Sequence, residues 1–310
     1  MFLLSVVFEG RNALMQNAEL LREYEQYLRQ ERKAAENTLS SYMRDIRQFE
    51  AYLADNCQCS LLDADQESVQ GFLTSIRGAG KSGATCARCL SSIKNFYSYI
   101  LLMGYLETDP AAGISVGKTE HKLPEILSNK EVELLLQQPK RADTKGIRDS
   151  AMLELMYATG IRVSELLDLK LSDVNFITGD IRCFSKNKER IIPMYPYALS
   201  ILHDYVEFAR PVLISSPDTD ALFVNLSGEK MSRQGFWKIV KCYQAKAGIK
   251  KDITPHTLRH SFAAHLLENG ADISVIQKML GHSDISSTKF YRQLVRNPVR
   301  EVYQHSHPRA

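Results

Sequence analysis

The chain has 310 residues, 44% hydrophobic and 24% charged, with 39 Lys and Arg against 36 Asp and Glu. That is the balance of a globular protein long enough for two cores, and no stretch approaches the roughly 20 apolar residues of a membrane helix. The formal charge of +3 is modest, but residues 111–310 hold 28 Lys and Arg against 22 Asp and Glu, so the excess is C-terminal and weakly favours a polyanionic partner.

Met1 to Phe8 are apolar, yet no positive charge precedes them and no small-residue cleavage site follows. They do not read as a signal peptide, and the expected location is the cytoplasm. Residues 1–14 are expected to be an extension outside the fold. A helix follows with Leu20, Leu21, Tyr24 and Leu28 at a period near 3.6. Asn37 then reads as the N-cap of a second helix through Leu39, Ile46 and Phe49. A third spans Ser68 to Ile76, a turn covers Gly78 to Gly83, and a fourth carries Cys89, Ile93, Phe96 and Ile100 until Asp109-Pro110. Gly80-Lys81-Ser82 lacks the upstream glycine of a phosphate loop, since position 75 is Ser75. The six cysteines are read as reduced thiols. Cys57-x-Cys59 and Cys86-x-x-Cys89 have zinc-like spacing, but Cys86 and Cys89 sit inside the helical pattern as small packing residues, so no metal is expected.

The pattern lapses over residues 111–124, which read as a linker between a domain at 15–110 and one at 125–296. The second domain opens on a capping box, Ser128-x-x-Glu131. A buried helix through Ala151, Leu155 and Met156 ends at Gly160. Asp180 to Phe184 and Arg190 to Met194 form a hairpin with a basic tip, a helix runs from Tyr197 to Phe208, and Ala221 to Asn225 reads as a strand. Ser232 caps a helix to Ala247, Thr254-Pro255 opens another that stops at Gly270, and Asp272 caps one ending at Gly281. Two last segments run from Ser286 through Val302.

Four pieces carry chemistry: Gly160-Ile161-Arg162, His256-Thr257-Leu258-Arg259-His260, Leu280-Gly281-His282, and Tyr291. Forked guanidiniums match the oxygens of a phosphate in transfer. His256, Arg259 and His260 share one face near a helix N-terminus, where the dipole favours an anion. A zinc-hydrolase reading of His256 and His260 fails, because position 257 is Thr rather than a Glu base. Arg162 has apolar neighbours, so its stem is expected to be buried, with Glu165, a phosphate, or both as partners. A phenol with a pKa near 10 needs local positive charge or a base to attack at neutral pH, and this set supplies both.

These motifs, in this order, resemble those of the tyrosine recombinases, and among them the Xer type that resolves chromosome dimers. The resemblance runs from about Met15 to the end of the chain. It implies a mainly α fold with a small β-sheet, made of an all-helical, SAM-like core-binding domain and a mixed α/β catalytic domain. It implies that Tyr291 attacks the scissile phosphate to give a 3′-phosphotyrosyl bond, with Arg162 and Arg259 clamping the non-bridging oxygens. His256 would move a proton, His282 would hydrogen-bond the phosphate, and Glu165 and His260 would support them. A hairpin lysine would protonate the leaving 5′-oxygen. The family hairpin reads Gly-Lys-Gly-x-Lys-Glu-Arg; here Ser185-Lys186-Asn187-Lys188-Glu189-Arg190 is one residue shorter, so Lys186 is assigned and Lys188 stays a contender. No cofactor, metal or ATP is implied, because the bond energy is kept in the covalent link. The implied partner is double-stranded DNA with paired inverted half-sites, held by four subunits, with a second recombinase and a DNA translocase as further candidates. Residues 297–310, with Val299 and Val302 as anchors, would dock on a neighbouring subunit. Arg88, Lys94, Arg233 and Lys238 are candidate DNA contacts. Arg292-Gln293 replaces the Thr-His common after the Xer tyrosine, which keeps a mobile-element integrase open as the alternative. More distant readings are a relaxing type IB topoisomerase and a DNA-binding protein without catalysis.

Overall fold

A computed structural model of the chain describes residues 17–117, 125–185, 188–216 and 218–281. They form two compact units, one within residues 1–121 and one within 122–310. Among the described residues no helix is long and apolar enough to cross a membrane.

The first unit is all helix: α1 (Asn17–Gln30), α2 (Glu36–Tyr52), α3 (Gln66–Gly78) and α4 (Gly83–Leu102). Its core is aromatic, with Tyr24, Phe49, Phe72, Phe96 and Tyr97 almost fully buried. Tyr24 meets Phe96 edge to face, ring centroids 5.1 Å apart, and its hydroxyl reaches Asn95 Oδ1 at 3.1 Å. Asp65 and Ser82 cap α3 and α4 by accepting the Ser68 and Thr85 N–H groups. The start of α2 differs from the sequence reading. Ala35 is the N-cap, with no side-chain bond, and Asn37 lies inside the first turn. The helix start is set by burial of Leu39, Met43 and Ile46 rather than by a cap. Ala111 and Ile114, at the head of the stretch read as a linker, are buried in this same core.

The second unit is built on α6 (Thr144–Thr159), whose residues from Ser150 to Met156 are all buried. Before it comes α5 (Asn129–Leu136), started by the expected Ser128–Glu131 capping box, and after it α7 (Val163–Asp168). An antiparallel sheet in the order β1-β2-β3 follows: β1 (Val174–Asn175), β2 (Asp180–Ser185) and β3 (Lys188–Pro193). Ser185 pairs with Lys188 and Cys183 with Arg190, so only Lys186 and Asn187 separate the hairpin strands. α8 (Pro196–Asp204) continues through a π-turn over Tyr205–Ala209 into α9 (Arg210–Leu213). The strand expected at 221–225 does not form. Ala221 and Val224 make single bridges to Lys170 and Lys230, and Leu222 and Phe223 are simply buried. Then come α10 (Arg233–Lys246), α11 (Pro255–Glu268) and α12 (Ile273–Leu280), capped by Ser232, Thr254 and Asp272 as the sequence indicated.

Candidate active site

The site starts where α6 stops. Gly160 has φ +59°, and a Cβ there would lie 2.3 Å from Phe262 Cδ1, so only glycine fits the turn. The chain reverses through buried Ile161 and presents Arg162 as the N-cap of α7. The Arg162 backbone N–H donates to Glu165 Oε2 at 2.7 Å, and its Nη1 donates to Oε1 at 3.0 Å. Nη2 donates to the Gly281 carbonyl at 3.1 Å. The side chain remains 32% exposed, so a charged, solvent-facing edge is left for a ligand.

Arg259 reaches the same place from α11. It is buried, and it donates from Nη1 to the Gly160 carbonyl at 2.5 Å and from Nη2 to the Leu280 carbonyl at 2.6 Å. Those carbonyls end α6 and α12, where orphan acceptors and the helix dipoles favour a cation. The two arginines thus meet at the junction of two helix ends, Gly160 on one side and Leu280–Gly281 on the other.

His256 stands in the first turn of α11, which Thr254 and Thr257 close as a capping box. Partial covering of its ring, then the charges of Arg259, Arg162 and Arg233, hold the imidazole below its ordinary pKa. It is therefore neutral at pH 7 and able to accept a proton. Burial, then His256 and Arg259, push His260 down to about 4. His260 lies a turn deeper and is half-buried.

Glu165 carries a further partner that sequence reasoning did not assign. Arg190 donates Nη1 to Oε1 at 2.9 Å and Nη2 to Oε2 at 2.6 Å, and its Nε donates to the Met279 carbonyl at 2.8 Å. Burial drives the Glu165 carboxyl up, but hydrogen bonds from Arg190 and Arg162 and both charges outweigh it, leaving its pKa below the usual value. The signal was present in the sequence: period-two alternation puts Arg190 on the face of buried Cys183 and Ile192.

Lys186, His282, Tyr291 and residues 297–310 lie outside the described residues, and for Lys188 only the backbone position in β3 is described. Arg88 pairs with buried Asp45, and Lys94 donates to the Ile114 carbonyl at 2.7 Å. Arg233 and Lys238 are exposed on α10, beside Trp237, over whose ring Lys241 Nζ sits 5.6 Å from the centroid. Among the described residues no group of three or more His, Cys, Asp or Glu could hold a metal ion.

Residues 125–297 match the model of the phage integrase family, and residues 21–104 match that of the phage integrase N-terminal SAM-like domain. The chain belongs to the phage integrase family, the tyrosine recombinases. It is 44% identical over 292 residues to tyrosine recombinase XerD of Staphylococcus epidermidis (strain ATCC 12228 / FDA PCI 1200), covering 94% of this chain and 99% of that one. It is 45% identical over 294 residues to XerD of Oceanobacillus iheyensis, covering 94% and 98%. The fold is shared with XerH site-specific recombinase bound to palindromic difH substrate in a post-cleavage complex (TM-score 0.73, 23% identity, 94% of this chain and 85% of that one). This recombinase is an enzyme that cleaves and rejoins DNA strands, of Xer-like type.

Proposed function

We propose that this recombinase clamps a scissile DNA phosphate between Arg162 and Arg259, above the joined ends of α6 and α12. The carrying observation is that both guanidiniums and neutral His256 gather there from two elements far apart in sequence, the N-cap of α7 and the first turns of α11. Tyr291 Oη attacks phosphorus while its proton passes to His256. The P–O5′ bond breaks, and the lysine of the hairpin, Lys186 with Lys188 as the contender, gives its proton to the 5′-oxygen. His282 hydrogen-bonds the phosphate. Rejoining runs the steps backwards, so the link itself stores the energy.

The near full-length likeness to XerD proteins supports resolution of chromosome or plasmid dimers, in the service of chromosome partition at cell division. The assembly proposed is a tetramer on two DNA sites, of one or two kinds of recombinase, with residues 297–310 reaching a neighbour and a translocase able to activate it. The test begins with duplexes selected for binding from a genomic fragment library. Each selected site is then made with a nick beside the cut, so that cleavage traps the adduct. A covalent adduct is expected with the wild-type protein and none with Tyr291→Phe, in the presence of a chelator. Failure of every selected site to trap protein would sink the proposal. Relaxation of supercoiled circles with no sequence requirement would instead favour a topoisomerase.

A further inference from the structure

Arg190 is a largely covered charge beside the site that the cleavage steps do not use. Its side chain is only 11% exposed, which makes direct DNA contact a poor account of it. Resting on the reading that Arg162 faces the phosphate, we propose that Arg190 is a positioning residue for strand cleavage: it neutralises Glu165 and ties β3 to the end of α12, which keeps the Arg162 charge available to the DNA.

The electrostatic part follows from counting charges. The Glu165 carboxylate takes four N–H donors, two from Arg162 and two from Arg190. With both arginines present the cluster carries a net charge of about +1. Without Arg190, Glu165 would have Arg162 as its only charged partner in this cluster, and the pair would sum to about zero. The same guanidinium would then be shared between a carboxylate it already holds and a phosphate it must recruit.

The geometric part concerns α12. Arg190 Nε holds the Met279 carbonyl, one turn-end away from the Gly281 carbonyl that receives Arg162. A Cβ at Gly281 would lie 3.0 Å from Arg190 Nη1, and the residue has φ +62°. The Arg190 guanidinium therefore packs flat against a site that only glycine leaves open. Arg190 also stands two residues beyond Lys188, at the base of the hairpin that carries both candidate acids. Lysine could supply the charge, but its three donors share one nitrogen and cannot present the planar fork that takes both Glu165 oxygens while Nε reaches Met279.

The experiment uses the full chain and a nicked duplex bearing a site recovered by selection, with adduct formation followed in time. Arg190→Met is expected to slow cleavage about 10- to 100-fold, as small misplacements of a clamp do, with DNA affinity within about twofold. Adding Glu165→Gln to Arg190→Met removes the unbalanced carboxylate and should restore part of the rate. A role confined to packing would make that double variant slower still. A methylphosphonate at the cut removes one phosphate charge, so the gap between wild type and Arg190→Met should narrow on it. Should Arg190→Met lack a cooperative thermal transition, Arg190→Lys carries the test, with slowed cleavage and retained binding expected. Undiminished cleavage by the folded variants, or a double variant slower than the single, would overturn the inference while leaving the site intact. Wild-type protein that forms no adduct on any selected duplex would overturn the reading of the site and this inference with it.

Discussion

Burying a guanidinium is unfavourable by several kcal/mol unless its donors meet acceptors. Arg259 and Arg162 meet that requirement differently. Arg259 uses the Gly160 and Leu280 carbonyls, which offset its desolvation without cancelling its charge. Arg162 leans on the Glu165 carboxylate, which would cancel its charge but for Arg190. The histidines behind them are held neutral, and for His260 this has a consequence for stability. Its folded pKa, about 4, lies below the ordinary 6.5. Between those values the unfolded chain binds a proton that the folded protein refuses. Its contribution is therefore fully present above pH 6.5 and is lost as pH falls towards 4, worth on the order of 2 kcal/mol once its partial exposure is allowed for. Denaturant unfolding of wild type and His260→Gln at about pH 7 and about pH 4.5 isolates it. The fall in stability on acidification should be smaller in the variant by about that amount; equal falls would show that His260 does not titrate in this window.

The elements are joined by their ends, and the ends are where sequence was easiest to read. Ser128, Ser232, Thr254 and Asp272 each cap the helix that their residue types announce. The Thr254 cap matters most, because α11 delivers His256 and Arg259. Thr254→Ala removes the acceptor for the Thr257 N–H and should cost about 1 kcal/mol of stability. It should also slow cleavage by more than that loss of folded protein explains, since the first turn holding His256 would fray. A chevron-independent thermal melt and a single-turnover cleavage rate measured side by side test this, and an unchanged rate would contradict it. Where sequence misled, no such cap existed. Ala35 begins α2 without a side-chain bond, so Asn37 attracted the assignment by residue type alone. Ala221 to Asn225 has strand composition, yet its apolar residues are buried without a ladder. The gathering of Arg162, Arg259, His256 and Glu165 was legible, because each belongs to a local motif. Arg190 was not assigned, because its acceptors come from α7 and α12, far away in sequence.

Across the molecule, some cations are spent on contacts inside their own unit and others are left exposed on its surface. In the helical unit Arg88 answers Asp45, a carboxylate 1% exposed whose second oxygen has no hydrogen-bond partner among the described residues, and Lys94 answers a backbone carbonyl. In the second unit Arg233 and Lys238 are exposed on α10 with no salt bridge of their own among the described residues, and the Arg233 charge is felt at His256. These two groups should behave differently when salt is varied. A lysine or arginine that neutralises a phosphate releases a counterion, so its loss lowers the slope of log affinity against log salt by about 1. Arg233→Ala and Lys238→Ala should each do so while leaving thermal stability within about 0.5 kcal/mol. Arg88→Ala leaves Asp45 buried without its cation, and should lower the stability of the helical unit by about 2 kcal/mol or more. Its direct effect on the salt slope should be small if its charge is spent on Asp45. Fluorescence-anisotropy titrations of a labelled duplex over a series of salt concentrations, paired with melts of each variant, separate the two kinds of cation. A slope change for Arg88→Ala as large as that for Arg233→Ala, with no loss of stability, would place Arg88 on the DNA instead.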